Sequence, residues 1–313
     1  MDAPTPDPDE VAVRVESVGI CGTDLRIHAG TIPVAYPRVM GHEVVGTLAT
    51  GARAGERVLI DPGIACGRCL QCREARTNIC TEGWLLGRDR DGGLCEVVTL
   101  PAVNVHALPD GLDPANAPLL QVLATCVHAQ RRSRVFPGES VVVLGLGVTG
   151  LLHLQLAKLA GATPLIGVTR SAPKLAIARE LGADLTATAD GSETRAVTEA
   201  LPDGADLVIE CVGTVAALAT AMEMVRTGGR ILAYGTITET SGALPFYELY
   251  HKEIAILGAR SARVEDFPSA IDAVASGRVA LDPLVSARHP LDDVAGAIRA
   301  AAAPGALKVL VDA

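Results

Sequence analysis

From Ser140 onward, short aliphatic runs alternate with stretches of helical period: VVVLG then LLHLQLAKLAG, PLIGV then PKLAIARELGA, ADLVIECVG then AALATAMEMVRTGG. Strand–helix alternation of this kind predicts a parallel sheet covered by helices, a doubly wound α/β domain. Two further runs, GRILAYG and EIAILGA, bring the expected sheet to about six strands. The chain before it reads differently. EVAVRVESV, HEVVGTLA, ERVLI and LCEVVTL are strand-like pieces separated by Gly, Pro and Cys-rich turns, which predicts a mostly antiparallel β region. After Gly258 the pattern returns to helix and loop and closes on the strand-like ALKVLVD. The expected division is a β-rich domain over residues 1–120, the α/β domain over 121–257, and a return to the first domain over 258–313.

Composition narrows the class. With 313 residues and 49% hydrophobic content the chain is long enough for two cores. A net charge of −9 argues against a surface that tracks phosphate backbones, so no nucleic-acid partner is expected. The start, MDAPTPDPDE, is acidic and Pro-rich without the basic-then-apolar pattern of a secretory signal, and a cytoplasmic protein is expected. The apolar stretch from Val141 to Val168 is broken by His153, Gln155 and Lys158, so no membrane span is expected either.

Four of the eight cysteines, Cys66, Cys69, Cys72 and Cys80, lie within CGRCLQCREARTNIC. A reducing compartment disfavours disulfides, and Thr81 stands where an iron–sulfur motif usually carries Pro. Four thiolates fill the tetrahedral shell of a zinc ion and leave no open position, so this metal is structural: it folds a loop with too few apolar side chains to fold itself. Chemistry must lie elsewhere. A second set of metal-type residues is Cys21 in GICGTDLRIHAG with His42 and Glu43 in VMGHEVVG, and Asp24 lies near by as a partner for the His. Neighbours on a regular strand face opposite ways, so His42 and Glu43 share a metal only at a local irregularity, which Gly41 permits. On residues alone this site stays open, because a lone Cys is usually core and a lone Glu usually surface. The third element is Gly145, Gly147 and Gly150, a G-x-G-x-x-G between a predicted strand and a predicted helix, the context in which a pyrophosphate binds.

In this combination and order, CGTD, GHE, the four-cysteine lobe and the glycine fingerprint, the sequence resembles the zinc-containing medium-chain dehydrogenase/reductase family of alcohol and polyol dehydrogenases, over nearly the whole chain. The resemblance implies a GroES-like β catalytic domain and a Rossmann coenzyme domain. It implies two zinc ions per chain, the catalytic one held by Cys21, His42 and Glu43 with Gln121 as a further position, directly or through water. It also implies alcohol–carbonyl interconversion of a small molecule by Lewis-acid zinc and hydride transfer to a nicotinamide, and a homodimer or homotetramer. Thr23 matches the hydroxyl that bonds the substrate oxygen and passes its proton on, and Asp24 would orient His42. Members carry Cys or Glu at the Gln121 position, and Gln121 tilts the reading towards a secondary alcohol, sugar or cyclitol. Many relatives also place a proton-relay His where this chain has Arg26, and His28 does not inherit that role. The nearest rival reading is an NADPH-dependent aldehyde or ketone reductase, and the rival of another class is a non-catalytic NADP(H)-binding regulator.

Coenzyme choice is read from LIGVTRSAPK. About twenty positions after the glycine turn, NAD-using enzymes carry an acidic residue for the ribose 2′-hydroxyl; here the position is Thr169. A Thr hydroxyl donates to a 2′-phosphate, Arg170 supplies a charged planar fork, and Ser171 and Lys174 add donors, so NADP(H) is expected over NAD(H). Val148, Thr149, Gly213 and Gly235 complete the expected coenzyme residues.

Overall fold

The first alternating pattern becomes β1 (Glu10–Gly19), the strand around which the β-rich unit is organised. The computed structural model describes residues 4–313. α1 (Gly22–His28) follows β1, and then β2 (Glu43–Leu48), β3 (Arg57–Ile60) and β4 (Gly63–Ile64). The cysteine-rich segment contributes one short α-helix, α2 (Leu70–Arg73), and a 3-10 turn (Thr77–Ile79) before β5 (Trp84–Leu85), β6 (Val97–Pro101) and β7 (Val105–Ala107). The helix α3 (Leu119–Ser133) ends this part of the chain.

The α/β unit, Cys126–Arg260, contains β8 (Val141–Leu144), α4 (Val148–Leu159), β9 (Leu165–Thr169), α5 (Ala172–Glu180), β10 (Leu185–Thr188) and α6 (Glu193–Ala200). It continues through β11 (Ala205–Glu210), α7 (Val215–Met224), β12 (Val225–Ala233), α8 (Phe246–His251) and β13 (Ala255–Gly258). The six strands are parallel in the order β10-β9-β8-β11-β12-β13, the doubly wound arrangement of a Rossmann domain. All four residues of β8 are buried, as a strand covered on both faces requires. The strand order reverses between β8 and β11, so ligand binding is expected at the carboxyl ends there. The sequence pattern did not reveal β10 and α6: LTAT is four residues long and half-exposed, with no apolar run to mark it.

The chain then adds α9 (Asp266–Ala275), β14 (Val285–Pro290), α10 (Val294–Ala302) and β15 (Lys308–Asp312) to the first unit, which comprises the chain up to Thr125 and Ser261–Ala313. Its sheet runs β14-β15-β1-β2-β3-β7, with β6 also on β1. β15 pairs Ser17–Gly19 and β6 pairs Glu10–Arg14, so β1 is bonded by two strands end to end on one side and by β2 on the other. Val13, Val15, Val18, Val44, Val58, Ile60 and Leu100 form the core under this sheet. No helix among the described residues is long and apolar enough to cross a membrane.

One buried carboxylate makes the fold pH-sensitive. Asp61 ends the β3 segment with its oxygen accepting the Gly63 amide at 2.9 Å, while Asn104 Nδ2 donates to the carbonyls of Asp61 and Gly63 and fixes the entry to the cysteine lobe. Burial pushes the Asp61 carboxyl up to about 7 from 3.8. Between those values the folded chain holds a proton that the unfolded chain has lost, so stability falls as pH rises from about 4 to 7 and stays lowered above. Asp61→Asn keeps the acceptor and removes the charge. Its melting temperature should match wild type near pH 4 and exceed it at pH 8, by an amount corresponding to a few kcal/mol at most; equal melting curves at both pH values would refute this.

Candidate metal centres and coenzyme site

The four lobe cysteines converge. Their sulfurs stand 3.5 Å apart for Cys69 and Cys72, 3.7 Å for Cys69 and Cys80, and 4.0 Å for Cys66 and Cys72. Four thiolates around zinc at about 2.3 Å have sulfurs about 3.8 Å apart, so the set fits a tetrahedral ion. Amides of Cys66 and Cys69 point at sulfurs of Cys80 and Cys66, at 3.3 and 3.4 Å. The Thr81 amide pulls the Cys69 thiol down to about 5, whereas burial and the neighbouring thiols push Cys72 up to about 12. Thiols this close do not all ionise without a cation between them, which is the charge state a dication supplies. Trp84 lies on the lobe's short β4–β5 ladder opposite Ile64, half exposed, with the Arg90 guanidinium 5.2 Å over its ring.

The second set also comes together. Ligand atoms of Cys21, His42 and Glu43 lie within 4.8 Å of one another, with both His42 and Glu43 buried. The irregularity expected at Gly41 is present: its φ is +95°, and β2 begins only at Glu43, so His42 and Glu43 are not strand neighbours on opposite faces. A side chain at Gly41 would meet Leu94 and Val18 at about 3 Å. Asp24, fully buried in α1, accepts the Cys21 amide at 2.8 Å and the Gly41 amide at 3.1 Å, and its carboxylate stands 3.5 Å from His42 Nδ1. Burial alone would lower the His42 imidazole, yet the Cys21 and Asp24 charges raise it well above its usual range. The thiol, imidazole and carboxylate of this cluster are the donor types of a zinc site. Thr23 is half-buried on the first turn of α1, and Gln121 is buried on the first turn of α3. Arg26 and His28 are exposed.

Two residues of this centre were not singled out in the sequence. Lys308, at the start of β15 and 5% exposed, places Nζ at 2.7 and 2.6 Å from the two Glu43 oxygens and donates to the Ile20 carbonyl at 3.0 Å. The Glu43, Cys21 and Asp24 charges outweigh its burial and hold the ammonium above its usual range. Gly19 faces Glu43 across the β1–β2 ladder, and a Cβ there would lie 2.1 Å from Glu43 Oε2. The carboxylate occupies the room the glycine leaves.

In the α/β unit the glycine turn opens α4. Gly145 has φ +93°, and a Cβ on Gly150 would lie 1.9 Å from the Gly145 carbonyl, so both glycines are required for the turn. A Cβ at Gly147 would meet nothing within 4 Å, which is the open cradle a pyrophosphate needs. A cavity of ≈ 450 Å³ runs from here, lined by Gly145, Gly147, Thr169, Arg170, Lys174 and Glu193 among others. Ser171 stands just before α5 rather than lining the cavity, and Val148 and Thr149 lie on the first turn of α4. Gly213 and Gly235 meet each other: a Cβ on Gly235 would lie 2.3 Å from the Gly213 nitrogen. Both loops are stapled by Glu210, whose Oε1 accepts the Val212 and Gly213 amides at 2.6 and 2.7 Å while its carbonyl accepts those of Tyr234 and Gly235.

Fold and site together define a dehydrogenase of the zinc-containing type, and the comparisons agree. Residues 7–110 match the alcohol dehydrogenase GroES-like domain and residues 148–276 the zinc-binding dehydrogenase domain. The chain is 32% identical over 305 residues to an L-galactonate-5-dehydrogenase of Escherichia coli K12, covering 94% of this chain and 88% of that one. It is 30% identical to a sorbitol dehydrogenase of Halalkalibacterium halodurans, with 98% and 93% covered. A zinc-binding dehydrogenase from Sinorhizobium meliloti 1021, solved bound to NADP, superposes with a TM-score of 0.93 at 34% identity, covering 100% of this chain and 94% of that one. An Escherichia coli CFT073 alcohol dehydrogenase complexed with NADH gives the same TM-score at 28% identity, with 100% and 94% covered. The chain belongs to the zinc-containing alcohol and polyol dehydrogenases of the medium-chain dehydrogenase/reductase family, and it is an oxidoreductase.

Proposed function

We propose that this enzyme oxidises a secondary alcohol of a polyol, sugar or sugar acid to the ketone, and reduces it in reverse, with NADP(H) preferred over NAD(H). The observation that carries the reading is the Cys21–His42–Glu43 cluster, with His42 and Glu43 buried, backed by Asp24 and Lys308. Its likeness to galactonate and sorbitol dehydrogenases supports the substrate class. Cys21, His42 and Glu43 would hold the catalytic zinc, with Gln121 direct or through water, and Cys66, Cys69, Cys72 and Cys80 the structural one. Bound there, zinc supplies Lewis acidity that favours loss of the alcohol proton, and the nicotinamide supplies the hydride acceptor. Asp24 orients the His42 ring, Lys308 holds the Glu43 carboxylate, and Thr23 carries the substrate proton away. Screening polyols, aldonic acids, simple alcohols and aldehydes with both coenzymes, by absorbance of the reduced ring, tests the class. Turnover confined to primary alcohols or aldehydes would overturn it.

The coenzyme preference rests on Thr169, Arg170 and Lys174 lining one cavity with the glycine turn and no carboxylate at position 169. Thr169→Asp with Arg170→Ala should lower kcat/KM for NADP by about 10²-fold and leave NAD use largely intact, since a charge-assisted phosphate contact is replaced by repulsion. A wild-type preference for NAD would refute it. For assembly, β13 is a sheet edge with β12 as its one neighbour among the described residues, with Ala255 and Ile256 exposed, and we propose that a second copy pairs there. A sedimentation coefficient of a stable monomer would refute that.

A further inference from the structure

The cavity in the α/β unit offers the glycine turn, Thr169, Arg170 and Lys174 to an anion, yet Glu193 also lines it. Glu193 opens α6, and its Oε2 accepts the Gly191 amide at 2.7 Å, which fixes the side chain where a carboxylate is favoured at a helix start. On the β8-to-β10 side the lining residues follow the sheet order, while Val212, Thr214, Ala216 and Ala217 come from the segment after β11. Gly145 and Gly147 lie after β8, Thr169 and Arg170 at the end of β9, and Ala189 and Glu193 beyond β10, the next strand outward. Neighbouring strands are about 4.8 Å apart, so the end of β10 lies about 10 Å across the sheet from that of β8. A dinucleotide laid along that line presents its pyrophosphate, then its ribose, then its base.

We propose that Glu193 reads the adenine base by accepting a hydrogen bond from the exocyclic amine. This rests on the coenzyme reading above. The Gly191 amide occupies Oε2 and leaves Oε1, which as part of an ionised carboxylate only accepts, so inside a site for a polyanion it favours a ligand N–H or O–H opposite it. Thr169, Arg170 and Lys174 already face the ribose and its phosphate, which leaves the amine of the base as the donor at the β10 end. Ala216, Ala217 and Val212 complete the cavity with small and apolar surfaces suited to a flat ring. Hypoxanthine, with a carbonyl oxygen in place of the amine, would turn an acceptor towards Glu193.

Calorimetric titration of the zinc-loaded enzyme with NADP, NAD and the hypoxanthine counterpart of each tests the inference. Wild type should bind each adenine form about tenfold or more tightly than its hypoxanthine counterpart, the range of a hydrogen bond to a charged group. In Glu193→Ala that ratio should fall to about one, and Glu193→Gln, whose amide both donates and accepts, should also lose most of it. A merely structural role for Glu193 would weaken all four dinucleotides alike and keep the ratio, which would overturn the inference. Equal affinity of wild type for adenine and hypoxanthine forms would also overturn it while leaving the 2′-phosphate comparison to decide coenzyme preference. Absence of binding by all four would overturn the coenzyme site and this inference together.

Discussion

Replacing His42 by Ala should reduce turnover by about 10³-fold or more while the protein stays folded and binds dinucleotide normally. Replacing Cys72 by Ser should do the opposite, lowering thermal stability and yield with a smaller direct effect on the chemical step. The contrast follows from the two donor sets. The lobe has four sulfurs within tetrahedral reach, no β-strand longer than two residues, and only two short helical turns, so its order would depend on an ion bound between the sulfurs. The Cys21–His42–Glu43 cluster instead sits in a unit whose sheet and core are complete without it, and Asp24 and Lys308 satisfy much of its polar surface. Zinc content by atomic emission, kcat, melting temperature and dinucleotide affinity, measured on both variants, separate the two roles. Each variant should lose one of two zinc equivalents. A His42→Ala protein with full activity would remove the proposed mechanism, and a Cys72→Ser protein with wild-type stability would remove the structural role of the lobe.

Much of this was legible in the sequence because its signals are local. Cys66 to Cys80 lie within one short loop, the glycine turn within six residues, and Cys21 and Asp24 within one helical turn. Gly41 next to His42 was enough to anticipate the break that lets His42 and Glu43 share a centre, and its φ of +95° is the physical form of that break. What stayed hidden is non-local. Lys308 opens the strand KVLVD, where a lysine ordinarily marks a strand end in water; its partner Glu43 is 265 residues away. Gly19 follows the run EVAVRVESV with nothing local to mark it, and only the β1–β2 register shows that it clears space for the Glu43 carboxylate. Glu210 lies inside the run ADLVIECVG with nothing local to mark it, and its task of holding two loops appears only when β11 and β12 are paired. The strand β10 escaped because half-exposed Thr and Ala in a four-residue run carry no hydrophobic period, and the order of the sheet supplies the strand instead.

Lys308→Met should destabilise the zinc-free enzyme by about 3–5 kcal/mol, the range for removing one member of a buried ion pair. Nζ donates to both Glu43 oxygens and to the Ile20 carbonyl, so the methionine leaves a fully buried carboxylate and a main-chain oxygen without their donor, close to the Cys21 thiol and the Asp24 carboxylate. Methionine is close to lysine in length and fills the same space, which confines the change to charge and hydrogen bonding. The deficit should shrink on loading with zinc, because a dication at Cys21, His42 and Glu43 offers the orphaned carboxylate a new partner. Lys308→Arg keeps the charge and should retain most of the stability. Melting temperatures of wild type and both variants, each with excess zinc and after chelation, give four differences to compare. A zinc-free Lys308→Met protein as stable as wild type would show that the Glu43 carboxylate does not depend on Lys308. An equal deficit with and without zinc would show that Glu43 and the metal do not share charge at this centre.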